Sequence, residues 1–228
     1  MAATNGGVIA VKLPPHGGEG LLDIPTALYR GVVLFAHGSG SSRLSPRNQF
    51  VAHAMRRAGL ATLLFDLLTE AEAADRKCVF DIDLLADRLA QASDWTAANA
   101  STRDQPIGYF GASTGAAAAL VAAARPGNSV GAIVSRGGRP DLAGSALEKV
   151  TAATLLIVGG ADTEVLTLNQ IAYRRMRCER RLEVVPGATH LFEEPGALEI
   201  VVAQARAWFL QHLTRGGMEA IYQDNPPG

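Results

Sequence analysis

Apolar runs rich in β-branched residues alternate with amphipathic or alanine-rich stretches along most of the chain. Gly31–His37 reads GVVLFAH, continuously apolar as a strand covered on both faces requires. Runs of the same kind follow at Ala61–Leu67, from Ile107, and at Val130–Ser135, Thr154–Val158 and Arg181–Val185. Helical signals fill the gaps. Ser45 as N-cap and Pro46 at the first helical position open a helix that Gly59 ends, with Phe50, Val51, Ala54 and Met55 as its apolar stripe. Further helices are expected over Ile82–Ala98 (Leu84, Leu85, Leu89 and Trp95 inward), from the alanine run at 116–124, and over Val165–Arg177 and Ala197–Leu213. Ahead of all these, Val8–Leu13 and Gly20–Ile24 flank the turn-forming Pro14–Gly18 and predict an antiparallel hairpin. Strand–helix alternation of this kind implies a mostly parallel central sheet with helices on both faces. No repeat or linker interrupts it, so we expect one α/β domain with its core over about 8–213 and a C-terminal tail over 214–228.

In such sheets functional groups gather at the carboxyl ends of strands. Gly111-Ala112-Ser113-Thr114-Gly115 stands there, between the Ile107 strand and the alanine-rich helix. Strand, G-x-S-x-G and helix in that order describe a nucleophile elbow. Two further strand ends carry the matching chemistry. Asp162 follows the strand ending in Gly159-Gly160-Ala161; it can orient a histidine or serve as a helix N-cap, and Glu164 is the fallback carboxylate. His190 follows the Arg181–Val185 strand and suits a general base, the plain alternative being a surface loop histidine. His16, His53 and His212 fall on a turn, a helix face and a helix end; His37 ends a strand but suits another role.

His37-Gly38-Ser39-Gly40-Ser41-Ser42 also follows a strand, and its free backbone N–H groups can hold an oxyanion. A phosphate cradle is the rival reading, but neither G-x-G-x-x-G nor G-x-x-x-x-G-K-[ST] occurs. Arg43 and Arg136 lie in strand-end loops where a guanidinium fork can pair a substrate carboxylate, or simply be solvated.

Composition narrows the function classes without changing the fold. Of 228 residues 48% are hydrophobic and 19% charged, at a net charge of −1, which fits a folded protein with no field to attract nucleic acid or anionic lipid. The two cysteines, Cys78 and Cys178, match no metal or redox spacing, and no metal or organic cofactor is expected. Met1–Gly7 lacks the features of a signal peptide and no apolar run has membrane-spanning length, so a cytoplasmic location without membrane partners is expected. The expected partner is a small molecule, with homo-oligomerisation left open.

The order Ser113, Asp162, His190, each directly after a strand, resembles the α/β-hydrolase family from about Val8 to Leu213. Within it the chain is similar to the small dienelactone hydrolase-like proteins, on the segments His37–Ser42, Leu64–Thr69, Gly159–Asp162 and Gly187–Phe192. The resemblance implies Ser113 as nucleophile, His190 as general base and then acid, and Asp162 as orienting carboxylate. It also implies an oxyanion hole from the backbone N–H groups of Ser39 and Thr114. Dienelactone hydrolases proper use cysteine where this chain has Ser113. Members often insert a lid between the sixth and seventh strands; here Arg136–Ala153 is too short for one, so an open site for small or water-soluble acyl groups is expected. The same triad would also serve C–C or C–halogen hydrolysis, perhydrolysis or acyl transfer, and an idle hydrolase-shaped binding protein is the reading from another class.

Overall fold

A computed structural model describes residues 7–213. Its centre is an eight-stranded sheet in the order β1-β2-β4-β3-β5-β6-β7-β8. The strands are β1 (Gly7–Leu13), β2 (Gly18–Ile24), β3 (Val32–Ala36), β4 (Ala61–Phe65), β5 (Ile107–Ala112), β6 (Ala132–Arg136), β7 (Ala153–Gly159) and β8 (Arg180–Val185). β1 and β2 form the expected hairpin, β2 runs antiparallel to β4, and every pairing from β4 through β3 to β8 is parallel. The parallel strands β3 to β7 are buried along their whole length, which is why they read as unbroken apolar runs.

Side chains alternate between two cores. On one face Leu34, Tyr109, Ile133 and Leu156 meet the helices α4 (Ile82–Ala98), α5 (Thr114–Ala123) and α6 (Thr163–Arg175). On the other, Phe35, Phe110, Val134 and Ile157 meet α1 (Pro46–Arg57) and α7 (Ala197–His212). The Ser45 hydroxyl accepts the Asn48 N–H at 3.4 Å, capping α1 as expected. Within α1, Val51 and Met55 are buried, whereas Phe50 faces outward, so its apolar stripe is narrower than the sequence suggested. Leu85 and Leu89 are the buried leucines of α4; Leu84 and Trp95 are half-covered.

Two short helices escaped the sequence reading: α2 (Glu70–Ala74) and α3 (Arg76–Val79). Neither buries a residue, so neither has an apolar stripe to betray it. Thr69 and Glu72 close a capping box that starts α2. Between β6 and β7 the chain makes a 3-10 segment, Pro140–Glu148, kinked at Gly144, and no lid.

β3 connects to β4 on one side while β5 connects to β6 on the other. The crevice between the carboxyl ends of β3 and β5 is therefore the topological switch point of the sheet, where ligands of open α/β sheets bind.

Candidate active site

Ser113 sits at that switch point with φ 51° and ψ −120°, a conformation that an L-residue adopts only under compulsion. The compulsion is visible. Its N–H donates to the Arg136 carbonyl at 3.4 Å, and its own carbonyl accepts from Ala116 and Arg139, both at 3.1 Å. The flanking glycines admit the turn. A Cβ on Gly111 would stand 2.5 Å from the Ala116 Cα, and one on Gly115 would stand 2.1 Å from the Ala36 carbonyl oxygen. Strand, helix and the neighbouring β3 all close on the serine.

Two backbone donors face the same crevice. Thr114 begins α5, so its N–H is one of the unshared donors of a helix N-terminus. Across from it the position of a Gly38 Cβ would lie 2.9 Å from the Ser113 Cβ, and the next N–H, that of Ser39, makes no hydrogen bond among the described residues. His37 anchors this loop. Its Nε2 accepts the Leu67 N–H at 3.1 Å and its Nδ1 lies 3.0 Å from the Gly38 carbonyl, so a neutral ring protonated at Nδ1 satisfies both. Burial pushes the His37 pKa down, which favours that neutral form.

The other two predicted residues meet each other. His190 Nδ1 lies 2.7 Å from Asp162 Oδ2, a bond that fixes the tautomer and leaves Nε2 free as a base. Asp162 occupies the N-cap position of α6, yet its side chain makes no capping bond; it is committed to the histidine. The ring is 39% exposed and the carboxylate 16%, an accessible imidazole on a shielded support. Glu164, the fallback, lies in the first turn of α6 and acts on Arg139 instead. Gly137 links the halves of the site: it follows Arg136, whose carbonyl holds Ser113, and its missing Cβ would lie 3.0 Å from the His190 carbonyl. The Ser113 hydroxyl makes no hydrogen bond among the described residues, an open geometry common where no substrate is bound.

Supporting residues went unread in the sequence. Glu194 accepts the Thr189 N–H at 3.0 Å and its hydroxyl at 2.6 Å, tethering the residue before His190; these bonds hold the Glu194 pKa below the usual carboxylate range. Phe192 is buried in the same loop at φ 57°. Asn169, fully buried on α6, donates to the carbonyls of Gly138 at 2.9 Å and Val165 at 2.8 Å, pinning the loop after β6. A Thr-x-x-x-x-Glu spacing around the histidine was the one available signal; a polar residue buried on a helix leaves none.

The two arginines have different fates. Arg43 is held by Glu19 and Asp66, the latter also accepting the Arg43 N–H at 2.7 Å. Its guanidinium is thus committed within the protein. Arg136 is buried and has no acidic partner among the described residues. Beside the Gly38–Ser42 loop opens a cavity of about 620 Å³, lined by Gly38, Ser39 and Thr114, by the apolar Leu68, Val79 and Leu85, and by the Glu19–Arg43–Asp66 group. No group of three or more His, Cys, Asp or Glu is placed to hold a metal among the described residues. No helix there is long and apolar enough to cross a membrane.

No family model matches the chain. Two Mycobacterium tuberculosis proteins, one from each of two strains, are 60% identical over 188 residues, or 82% of this chain, and carry the provisional name phosphoribosyl transferase. The chain spans 42% of the length of these relatives. Among solved structures, Est1E from Butyrivibrio proteoclasticus matches with a TM-score of 0.74 at 16% identity, covering 89% of this chain and 98% of its own, a likeness of fold alone. The dienelactone hydrolase of Anabaena variabilis matches far more closely, with a TM-score of 0.87 and 51% identity, over 93% of this chain and 100% of that one. Sequence and fold agree over the full length of the Anabaena protein, and the chain belongs to the dienelactone hydrolase family of α/β-hydrolases.

Proposed function

We propose that the chain is a serine hydrolase of small carboxylic esters or lactones, working through Ser113, His190 and Asp162. The observation that carries this is the 2.7 Å bond from His190 to Asp162, made beside a serine held at a strained elbow. Ser113 Oγ attacks the ester carbonyl while His190 Nε2 takes its proton, and the imidazolium is stabilised by Asp162. The carbonyl oxygen becomes an oxyanion between the N–H groups of Ser39 and Thr114. As the tetrahedral intermediate collapses, the C–O bond to the leaving alcohol breaks and His190 returns the proton to that oxygen. Water, deprotonated by the same imidazole, then cleaves the acyl-enzyme and regenerates Ser113.

The cavity next to the oxyanion loop lies within the size range of small-molecule sites, and its wall of two short helices favours compact acyl or alcohol groups over long chains. Phosphoribosyl transfer is a name given to proteins more than twice as long as the matched segment. In this chain the one glycine-rich strand-end loop considered as a phosphate cradle is instead packed on the nucleophile, Gly38 against Ser113, which favours acyl transfer. A fluorophosphonate probe should label Ser113, read by peptide mass, and Ser113→Ala should abolish both labelling and p-nitrophenyl acetate turnover. A mutant as active as the parent would end this reading.

A further inference from the structure

The cavity beside the Gly38–Ser42 loop takes its charged lining from four segments: Glu19 of β2, Arg43 in the loop after β3, Asp66 directly after β4, and Glu70 at the start of α2. Arg43 is spent within this group. Its guanidinium pairs with Glu19 and with Asp66, and Asp66 also accepts the Arg43 N–H at 2.7 Å. Glu70 makes no hydrogen bond or ion pair among the described residues. Three carboxylates thus stand against one guanidinium in the lining, although the whole chain carries a net charge of only −1. Of the two histidines there, His37 is kept neutral by burial, and His16 belongs to the hairpin turn between β1 and β2. A concave site with this balance repels anions and concentrates cations, and the apolar Leu68, Val79 and Leu85 in the same lining strengthen the field by keeping the local dielectric low.

A second feature shows that the cavity is prepared for a polar ligand. Thr114 lines it, is only 3% exposed, and leaves its hydroxyl without a hydrogen-bond partner. Threonines inside helices spend the hydroxyl on the carbonyl four residues earlier, as Thr96 does on Ala92 at 2.7 Å and Thr167 on Thr163 at 2.9 Å. Thr114 opens α5, and the residue four earlier, Phe110, lies inside β5. Thr62 and Ser135 are also buried with unpartnered hydroxyls, but neither lines the cavity. An unmade hydrogen bond at a buried hydroxyl is a cost to the fold, and at Thr114 a ligand in the cavity can remove it.

We propose that the cavity receives the cationic half of an amino ester, its ammonium group drawn by Glu19, Asp66 and above all the unpaired Glu70, with the Thr114 hydroxyl hydrogen-bonding the part nearer the ester. This inference rests on the hydrolase reading above and narrows its substrate class to positively charged esters.

The test uses two series of esters, each with an ammonium, a methyl or a carboxylate substituent, carried on the phenol of phenyl acetates in one series and on the acyl group of p-nitrophenyl esters in the other. Rates are divided by those of hydroxide hydrolysis, which removes differences in intrinsic reactivity. In one series the parent should favour the ammonium ester over the methyl ester by about fivefold or more in kcat/KM, mainly through KM, and the carboxylate ester should be the poorest. That series identifies the half of the substrate that enters the cavity. The preference should shrink as salt is raised. Glu70→Gln should reduce it and Glu70→Lys should turn it toward the carboxylate ester. Thr114→Val should raise KM for the ammonium ester and Thr114→Ser should restore it. No ammonium preference in either series, a preference unchanged in both Glu70 variants, or a KM unchanged in Thr114→Val would each overturn the proposal. Turnover of the methyl ester and labelling of Ser113 report separately on the hydrolase reading. Where turnover is absent, calorimetric titration of butylammonium and of butyrate into the parent measures the cavity alone. Tighter binding of butylammonium is expected, and butyrate binding as tightly would overturn it.

Discussion

At the scale of single residues, Ser113 and Arg136 each hold a state that the fold would be more stable without. The serine is forced to φ 51°, and the arginine is buried as an unpaired cation. Backbone strain of the kind at Ser113 costs about 1–3 kcal/mol. Two substitutions separate strain from chemistry at position 113. Ser113→Ala removes the proposed nucleophile and keeps the strained backbone; kcat/KM on p-nitrophenyl acetate should fall by at least ~10³-fold with little change in stability. Ser113→Gly should be equally inactive, yet about 1 kcal/mol more stable than Ser113→Ala in urea unfolding, because glycine accepts the elbow's dihedrals. If the two variants unfold alike, the elbow stores no strain worth the name.

At the scale of elements, what could be read from the sequence and what could not follow the same physics. The parallel strands announce themselves as apolar runs because both of their faces are covered, and α4 was legible to its end residues, Ile82 and Ala98. The order Ser113, Asp162, His190 was legible because each follows a strand directly. α2 and α3 were not, since they bury nothing; nor were Asn169 and Glu194, whose roles depend on contacts that spacing does not encode. The unpaired state of Arg136 was equally invisible, because a sequence does not say which carboxylates are within reach. Two tests belong to this scale. Gly115→Ala would drive a Cβ to 2.1 Å from the Ala36 carbonyl and wedge α5 off β3, so it should cost more than about 3 kcal/mol, seen as loss of soluble protein or a sharply lower Tm. Glu194→Ala releases Thr189 and the loop that carries His190; kcat should fall roughly ten- to hundredfold with KM less affected, and Glu194→Gln, which keeps an acceptor oxygen, should recover much of the loss.

For the molecule as a whole, one buried histidine joins the stability of the sheet to the geometry of the site. His37 directly follows β3, accepts a hydrogen bond from Leu67, two residues past β4, and holds the loop that carries the Ser39 N–H. Protonating it would set a ring N–H against the Leu67 N–H, and burial already opposes the charge, although nearby Asp66 partly favours it. Its pKa in the fold therefore lies below the ordinary value of 6.5 that the unfolded chain keeps. Above that ordinary value both states are neutral there and the contribution is intact. As pH falls below it, the unfolded chain takes up the proton first and the folded state loses ground, by at most about 1.4 kcal/mol per pH unit, until the depressed folded pKa is reached. Glu72 and Glu194, whose folded pKa values are lowered from 4.5, add their own losses only at more acidic pH, so the two windows separate. Urea unfolding from pH 7.5 to 5 should show stability declining below about pH 6.5, with the proposed ester turnover falling alongside it as the Gly38–Ser42 loop loses its anchor. His37→Gln, whose side-chain oxygen can still accept the Leu67 N–H, should flatten the decline in that window and leave the more acidic one in place. A decline as steep in His37→Gln as in the parent would assign the pH response to other groups and remove the link between the sheet and the loop.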